Sequence, residues 1–159
     1  MLVNCWHKHD IESMQMWDRY GGSEESVALV STLGRLREAV PERVDVGHVD
    51  YIDFTTEQFF TSNPGHRAFL KVRELEDERE VRGVIVDWPQ TGPDGRWTIS
   101  IDEGQKNGYY VPVDLARLLQ RVVVSPNSPE IVAEVTSALR RHGLHAEVCS
   151  ATLSRIPMY

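Results

Sequence analysis

The stretch from Arg121 to Cys149 limits the fold most. Arg121-Val122-Val123-Val124 has the β-branched composition of a buried strand, and it stops at Ser125-Pro126. Ser128 then stands at a helix N-cap position, Pro129 in the first turn and Gly143 just past the end, so one helix is punctuated on both sides. Ile131, Val135, Ala138 and Leu139 recur at helical spacing and give it an apolar stripe. Ala146 to Cys149 reads as a further strand. Strand, helix and strand in that order predict a βα unit. Earlier, Pro93-Asp94-Gly95 is a turn signal between a strand over Val81 to Trp88 and a return strand over Trp97 to Ile101, which predicts a hairpin. Together the two patterns predict a mixed α/β or α+β fold. It is read as one domain over residues 1–159, its mixed sheet packed with about four to five helices.

The remaining segments fill in that plan. Leu2 to Trp6 reads as a buried strand. Asp10 is the expected N-cap of a helix running to Tyr20, with Ile11, Met14 and Trp17 on one side and Gly21-Gly22 as its stop. Val27 to Val30 is a short buried strand, and Leu33 to Val40 a short helix closed by Pro41. Val44 to Phe54 alternates as an amphipathic strand, bulged near Gly47. Thr55 to Gly65 is a loop. His66 to Arg79 reads as a charged helix whose apolar stripe is Phe69, Val72 and Leu75. Arg73 with Asp77, and Glu78 with Arg82, are opposite charges four residues apart. Gly104 to Gly108 is a polar loop and Tyr109 to Val113 a strand. Asp114 caps a short helix carrying Leu115, Leu118 and Leu119.

Composition narrows the classes. With 159 residues, 41% hydrophobic and 26% charged, the chain can bury a core without staples. The net charge of −7 shows no basic face for a polyphosphate backbone, so general nucleic-acid binding is disfavoured; the partner is left open, a protein partner being one reading. No stretch approaches the run of about 20 apolar residues that spans a bilayer. The apolar start is ended by Lys8-His9-Asp10, too short for a signal-peptide core. The expectation is a soluble cytoplasmic protein that does not associate with membranes. Cys5 and Cys149 are too far apart for a metal-finger or redox spacing and are expected to be buried, reduced thiols. A disulfide joining the two ends of the chain is the alternative.

Several constellations carry chemistry. On an extended strand His7 and His9 would face one side, as two metal ligands must. Further ligands would have to come from His48, His66, His142 or His145, none at a partner spacing, so no metal ligand is assigned. Trp6, Met16, Trp17 and Tyr20 surround the first helix; they are either plain core or, with His7, the wall of a planar ligand, which makes Trp6, His7, Trp17 and Tyr20 the candidate ligand-binding set. In Leu75-Glu76-Asp77-Glu78-Arg79-Glu80-Val81-Arg82, an extended second half would put Glu78, Glu80 and Arg82 on one face. Such carboxylates can act as a base or stabilise a cation while the guanidinium holds an anion. The bland alternative is a solvated helix end.

Ser31-Thr32 together with Glu78-Arg79-Glu80 resembles the toxin-type ADP-ribosyltransferases, in which a Ser-Thr strand supports the nicotinamide pocket and a Glu-x-Glu carries the catalytic glutamate. The resemblance implies Glu80 as the catalytic glutamate, Glu78 as the substrate-side residue and NAD as substrate. It makes sense of a carboxylate beside an oxocarbenium-like transition state. That family's early arginine or histidine strand is not identifiable in this chain.

A broader resemblance covers most of the chain. It is carried by Asn4-Cys5-Trp6-His7, Glu12-Ser13, Met16-Trp17 and Tyr20, Val27 to Thr32 with the Leu36 helix, and Val49-Asp50-Tyr51-Ile52. It continues through Glu76 to Arg82, Tyr110 to Leu115 and Val122 to Pro126. In these the chain resembles an uncharacterised family of bacterial, prophage and phage proteins, a domain of unknown function. The resemblance implies a mobile-element or defence context and no particular reaction. Longer members carry residues before the position of Asn4, so this chain is expected to be a fragment or a reduced member. The functional expectations are an enzyme acting on a nucleotide-type substrate through Glu80, Glu78, Arg82 and Ser31, a non-catalytic protein-binding accessory domain, or a metal-dependent hydrolase using His7 and His9.

Overall fold

The computed structural model describes residues 1–22, 25–57, 63–86, 90–91, 97–98 and 110–153. It opens with β1 (Leu2–His7), then α1 (Met14–Met16) running into a π-helical turn (Trp17–Gly21), β2 (Val27–Val30) and α2 (Leu33–Ala39). Next come β3 (Asp45–His48), β4 (Asp50–Ile52), a 3₁₀ segment (Pro64–Phe69), β5 (Leu70–Val72), a second 3₁₀ segment (Arg73–Glu78) and β6 (Glu80–Ile85). A short pair, β7 (Gln90–Thr91) and β8 (Trp97–Thr98), precedes α3 (Leu115–Leu118) and β9 (Arg121–Val124). A 3₁₀ turn (Pro129–Ile131), α4 (Val132–Arg141) and β10 (Glu147–Ser150) complete the order. The mixed α/β class is the one expected. The chain forms two compact units, Met1–Lys8 with Pro41–Pro112, and His9–Val40 with Val113–Tyr159. No described helix is long and apolar enough to cross a membrane.

The first unit is built on an antiparallel sheet in the order β1-β6-β3. Its register sets Cys5 opposite Arg82 and His7 opposite Glu80 on one side, and Gly47 opposite Arg82 on the other. Side chains alternate along a strand, so Glu80, Arg82 and Val84 share a face with Cys5 and His7. Gly47 is glycine for a steric reason: a Cβ there would stand 3.1 Å from the Phe69 ring. β4 and β5 form a separate parallel ladder that pairs Tyr51 with Lys71.

That ladder explains two departures from expectation. The single strand over Val44 to Phe54 is two strands. The chain changes partner at Val49, whose N–H donates to Glu80 O at 3.0 Å. The charged helix over His66 to Arg79 does not form; its residues make two 3₁₀ segments flanking β5. Pairing of Leu70–Val72 with Asp50–Ile52 outweighs local helix propensity, and Val72 is exposed rather than part of a buried stripe. Arg73 pairs with Glu57, and Glu78 with Lys71. The strand expected over Val81 to Trp88 to pair with Trp97 to Ile101 instead lies in β6 between β1 and β3, and Trp97–Thr98 pairs antiparallel with Gln90–Thr91; the Pro93-Asp94-Gly95 turn and the Gly104 to Gly108 loop lie outside the described residues. Tyr110 to Val113 is not a strand.

The second unit has the strand order β10-β9-β2, with β9 parallel to β10 and antiparallel to β2. The βα unit is present: β9 leads through the 3₁₀ turn and α4 to β10. Central β9 is the buried heart of this sheet, with Val122, Val123 and Val124 at 1%, 2% and 0% exposure. Thr32 caps α2 by accepting from Arg35 N, and Asp114 caps α3 by accepting from Arg117 N. Ser128 occupies the N-cap position of the segment leading into α4 without a side-chain capping bond. The first helix is shorter than expected. Ser13 rather than Asp10 caps it, because the Ser13 hydroxyl accepts from Met16 N, and Ile11 is exposed. β1 and β2 are not buried strands; Val3, Cys5, Val27 and Leu29 are exposed.

Because β9 is enclosed on both faces, Val123→Ala should destabilise the protein by roughly 2 kcal/mol, the lost transfer energy plus a cavity. Urea denaturation of the two proteins measures this.

Candidate functional site

The first unit gathers charged side chains from separate elements around Glu80. Glu80 opens β6 and is 8% exposed. One of its oxygens accepts from Lys71 Nζ of β5 at 2.8 Å, and the other from Arg82 Nε two residues along the same strand at 2.6 Å. Arg82 also donates through Nη1 to Ala68 O at 2.5 Å. Lys71 is bridged a second time, to the Glu78 carboxylate. The backbone is held as firmly. The Glu80 N–H donates to the Tyr51 hydroxyl at 2.8 Å, and His7 Nδ1–H donates to Glu78 O at 2.7 Å. The result is a balanced set of two carboxylates and two cations, closed by a phenol and an imidazole.

A local distortion makes this geometry. Glu78 is not on the strand; it ends the second 3₁₀ segment. Arg79 between the two glutamates is left-handed, at φ 41° and ψ 51°, and is the one non-glycine residue with positive φ among those described. The reversal at Arg79 lets Glu78 and Glu80 meet the same ammonium. An L-residue in this region carries strain, and such strain concentrates at functional sites. Arg79→Gly should therefore leave stability unchanged or raise it by up to about 1 kcal/mol, relief of strain set against the greater chain entropy of glycine. Arg79→Val should lower it. Chemical denaturation distinguishes these outcomes.

The electrostatics follow from the contacts. Burial by itself would raise the Glu80 carboxyl, but the hydrogen bonds it accepts from Lys71 and Arg82 and the Arg82 charge hold it at about 2. Burial alone would lower Lys71, yet its bonds to Glu78 and Glu80 raise it, so it stays an ammonium. Burial, reinforced by the Glu80 charge, pushes up both the Tyr51 phenol and the Cys5 thiol. Cys5 is therefore a neutral thiol rather than a nucleophilic thiolate. It is free and exposed, contrary to the expectation of burial; Cys149 is also free and half-buried.

The anticipated residues are thus placed as follows. Glu78, Glu80 and Arg82 come together, with His7 beside them. Trp6 is half-buried on β1, its indole N–H donating to Asn4 Oδ1 at 2.6 Å, and strand alternation turns it to the face opposite Cys5 and His7. Ser31, Trp17 and Tyr20 belong to the second unit. Ser31 donates to Leu118 O at 2.5 Å, next to Arg35 Nη1, which donates to Arg117 O at 2.9 Å and Leu119 O at 3.3 Å. These bonds close the C-terminal end of α3. Trp17 packs against Gly21, where a Cβ would lie 3.0 Å from the ring, and Tyr20 is exposed. His9 lies beyond the end of β1, its Nδ1 accepting from Ile11 N. Among the described residues no group of three or more His, Cys, Asp or Glu side chains is placed to hold a metal ion.

Lys71 and Tyr51 escaped notice in the sequence. The signal for Lys71 is a lone charge between Leu70 and Val72, which reads as strand alternation once the helix is set aside. No protein-family model, curated protein or solved structure matches the chain.

Because folding depresses the Glu80 carboxyl, its ion pairs contribute stability above the ordinary value near 4.5, and that stability is lost as pH falls from there toward about 2. The full displacement corresponds to about 3 kcal/mol, and screening at the solvent-touched rim reduces it to about 1–2 kcal/mol. Stability measured between pH 5 and pH 2 should fall less steeply in Glu80→Gln than in the parent protein.

Proposed function

We propose that this chain is an enzyme acting on a nucleotide-type substrate, a transferase that uses NAD as substrate with Glu80 as its working carboxylate. What supports the reading is that a buried carboxylate is kept ionised by two cations from different strands. Replacing such a set with apolar side chains is commonly neutral or stabilising. A fold that keeps it therefore invites a role beyond stability, and perturbed titratable groups concentrate where chemistry occurs.

The ionisation defines what Glu80 can do. Held near 2, it is a poor general base at neutral pH. Its part is electrostatic: a fixed negative charge beside a sugar carbon that becomes cationic. In the reaction the bond between the nicotinamide nitrogen and the ribose carbon breaks, and nicotinamide leaves neutral with the bonding pair. The acceptor oxygen forms the new bond to that carbon and loses its proton to water. The family resemblance would set such a reaction in a bacterial or phage mobile element or defence system.

A second reading, a non-catalytic protein-binding accessory domain, is favoured by β2. Val27 and Leu29 on that strand are 44% and 45% exposed, and the strand carries no charge. The two readings separate in one assay. The purified protein should melt at a higher temperature with NAD⁺ and release nicotinamide detectable by mass spectrometry. Glu80→Gln, checked for its fold by circular dichroism, should lose the release. A parent protein that neither shifts nor releases nicotinamide would leave the binding-domain reading.

A further inference from the structure

A difficulty with Glu80 as working carboxylate is that both its oxygens are already occupied. The wiring of the cluster answers it. Lys71 is bonded to Glu78 as well as to Glu80, and Arg82 to Ala68 O as well as to Glu80. Each cation holding Glu80 thus has a second acceptor already in place. Either can let go of Glu80 without becoming an unpaired buried charge, the state that makes breaking a buried ion pair costly. The side chains of Lys71, Glu78, Glu80 and Arg82 keep 19%, 11%, 8% and 14% of their surface, so the cluster borders solvent.

Resting on the reading of Glu80 as the working carboxylate, we propose that Glu78 is a positioning residue that takes over Lys71 when a cationic group of the substrate engages Glu80. The site then selects a substrate by its positive charge. Lys71 moves from a shared position between two carboxylates onto Glu78, and the freed Glu80 oxygen faces the incoming cation. An anionic or neutral ring gains nothing from that exchange, since it cannot replace the ammonium that left. Glu78 need not touch the substrate.

NAD⁺ and NADH test this directly, because they differ in the charge of the nicotinamide ring. The parent protein should bind NAD⁺ at least about tenfold more tightly than NADH by calorimetry, the worth of one close, partly screened contact between opposite charges. In Glu78→Gln the ammonium stays locked on Glu80, so the preference should shrink severalfold while the melting transition is retained. In Lys71→Met nothing has to be displaced, so NAD⁺ should bind as tightly as to the parent protein or more so. A residue that merely props up the fold would lower affinity for both nucleotides in both variants. Equal binding of NAD⁺ and NADH by the parent protein overturns the inference. So does an unchanged preference in a folded Glu78→Gln, and in that case NAD⁺ turnover by the parent protein leaves the transferase reading standing. Absence of binding by either nucleotide removes both.

Discussion

One buried carboxylate organises the first unit. Glu80 sits in the central strand of an antiparallel sheet, where an isolated charge is not tolerated. Its neutralisation needs Lys71 from β5, and β5 exists as a strand only because it pairs with β4. β4 in turn is free to do so because the chain breaks its pairing with β6 at Val49. The left-handed Arg79 brings in the second carboxylate, and Tyr51, beside Lys71 in the ladder, pins the Glu80 backbone. Removing the charge on Glu80 would leave Lys71 only Glu78, and Arg82 only Ala68 O, among these partners. Among the described residues the second unit has no buried carboxylate of this kind: its heart is the run of three buried valines in β9, paired on one side with β2 and on the other with β10.

That difference decided what the sequence revealed. In the second unit the signals are local. The Asp114 cap, the start of α2 after Thr32, the βα unit from Arg121 to Ser150 and the glycine after α4 all follow from neighbours in the chain. In the first unit the decisive pairings are long-range. His66 to Arg79 has helical spacing and helical charges, yet a three-residue ladder with Asp50–Ile52 outweighs both.

The candidate site was legible in part, and for a reason that needs amending. Glu78, Glu80 and Arg82 do converge, but not by alternating along one strand. Glu78 arrives through the reversal at Arg79 and through Lys71, a residue the helical reading had turned elsewhere. Ser31-Thr32 shows the opposite case. The motif is real as a pattern, but one hydroxyl closes α3 and the other caps α2, so its local structural use is complete. The short spacing of Cys5, His7, Glu80 and Arg82 across two strands could not be seen without the register.

The way the chain is threaded through its two units also shapes how it must be made. It starts the first unit, lays down β2 and α2 of the second, returns to complete the first, and only then supplies β9 and β10. During synthesis the uncharged strand Val27–Val30 emerges early, and its sheet partner Val122–Val124 is among the last segments to appear. Neither unit exists as a continuous piece of polypeptide, so neither can be cut out by choosing two end points. The late closing of distant segments slows folding and leaves an apolar strand uncovered on the nascent chain, a state in which chaperones and aggregation compete.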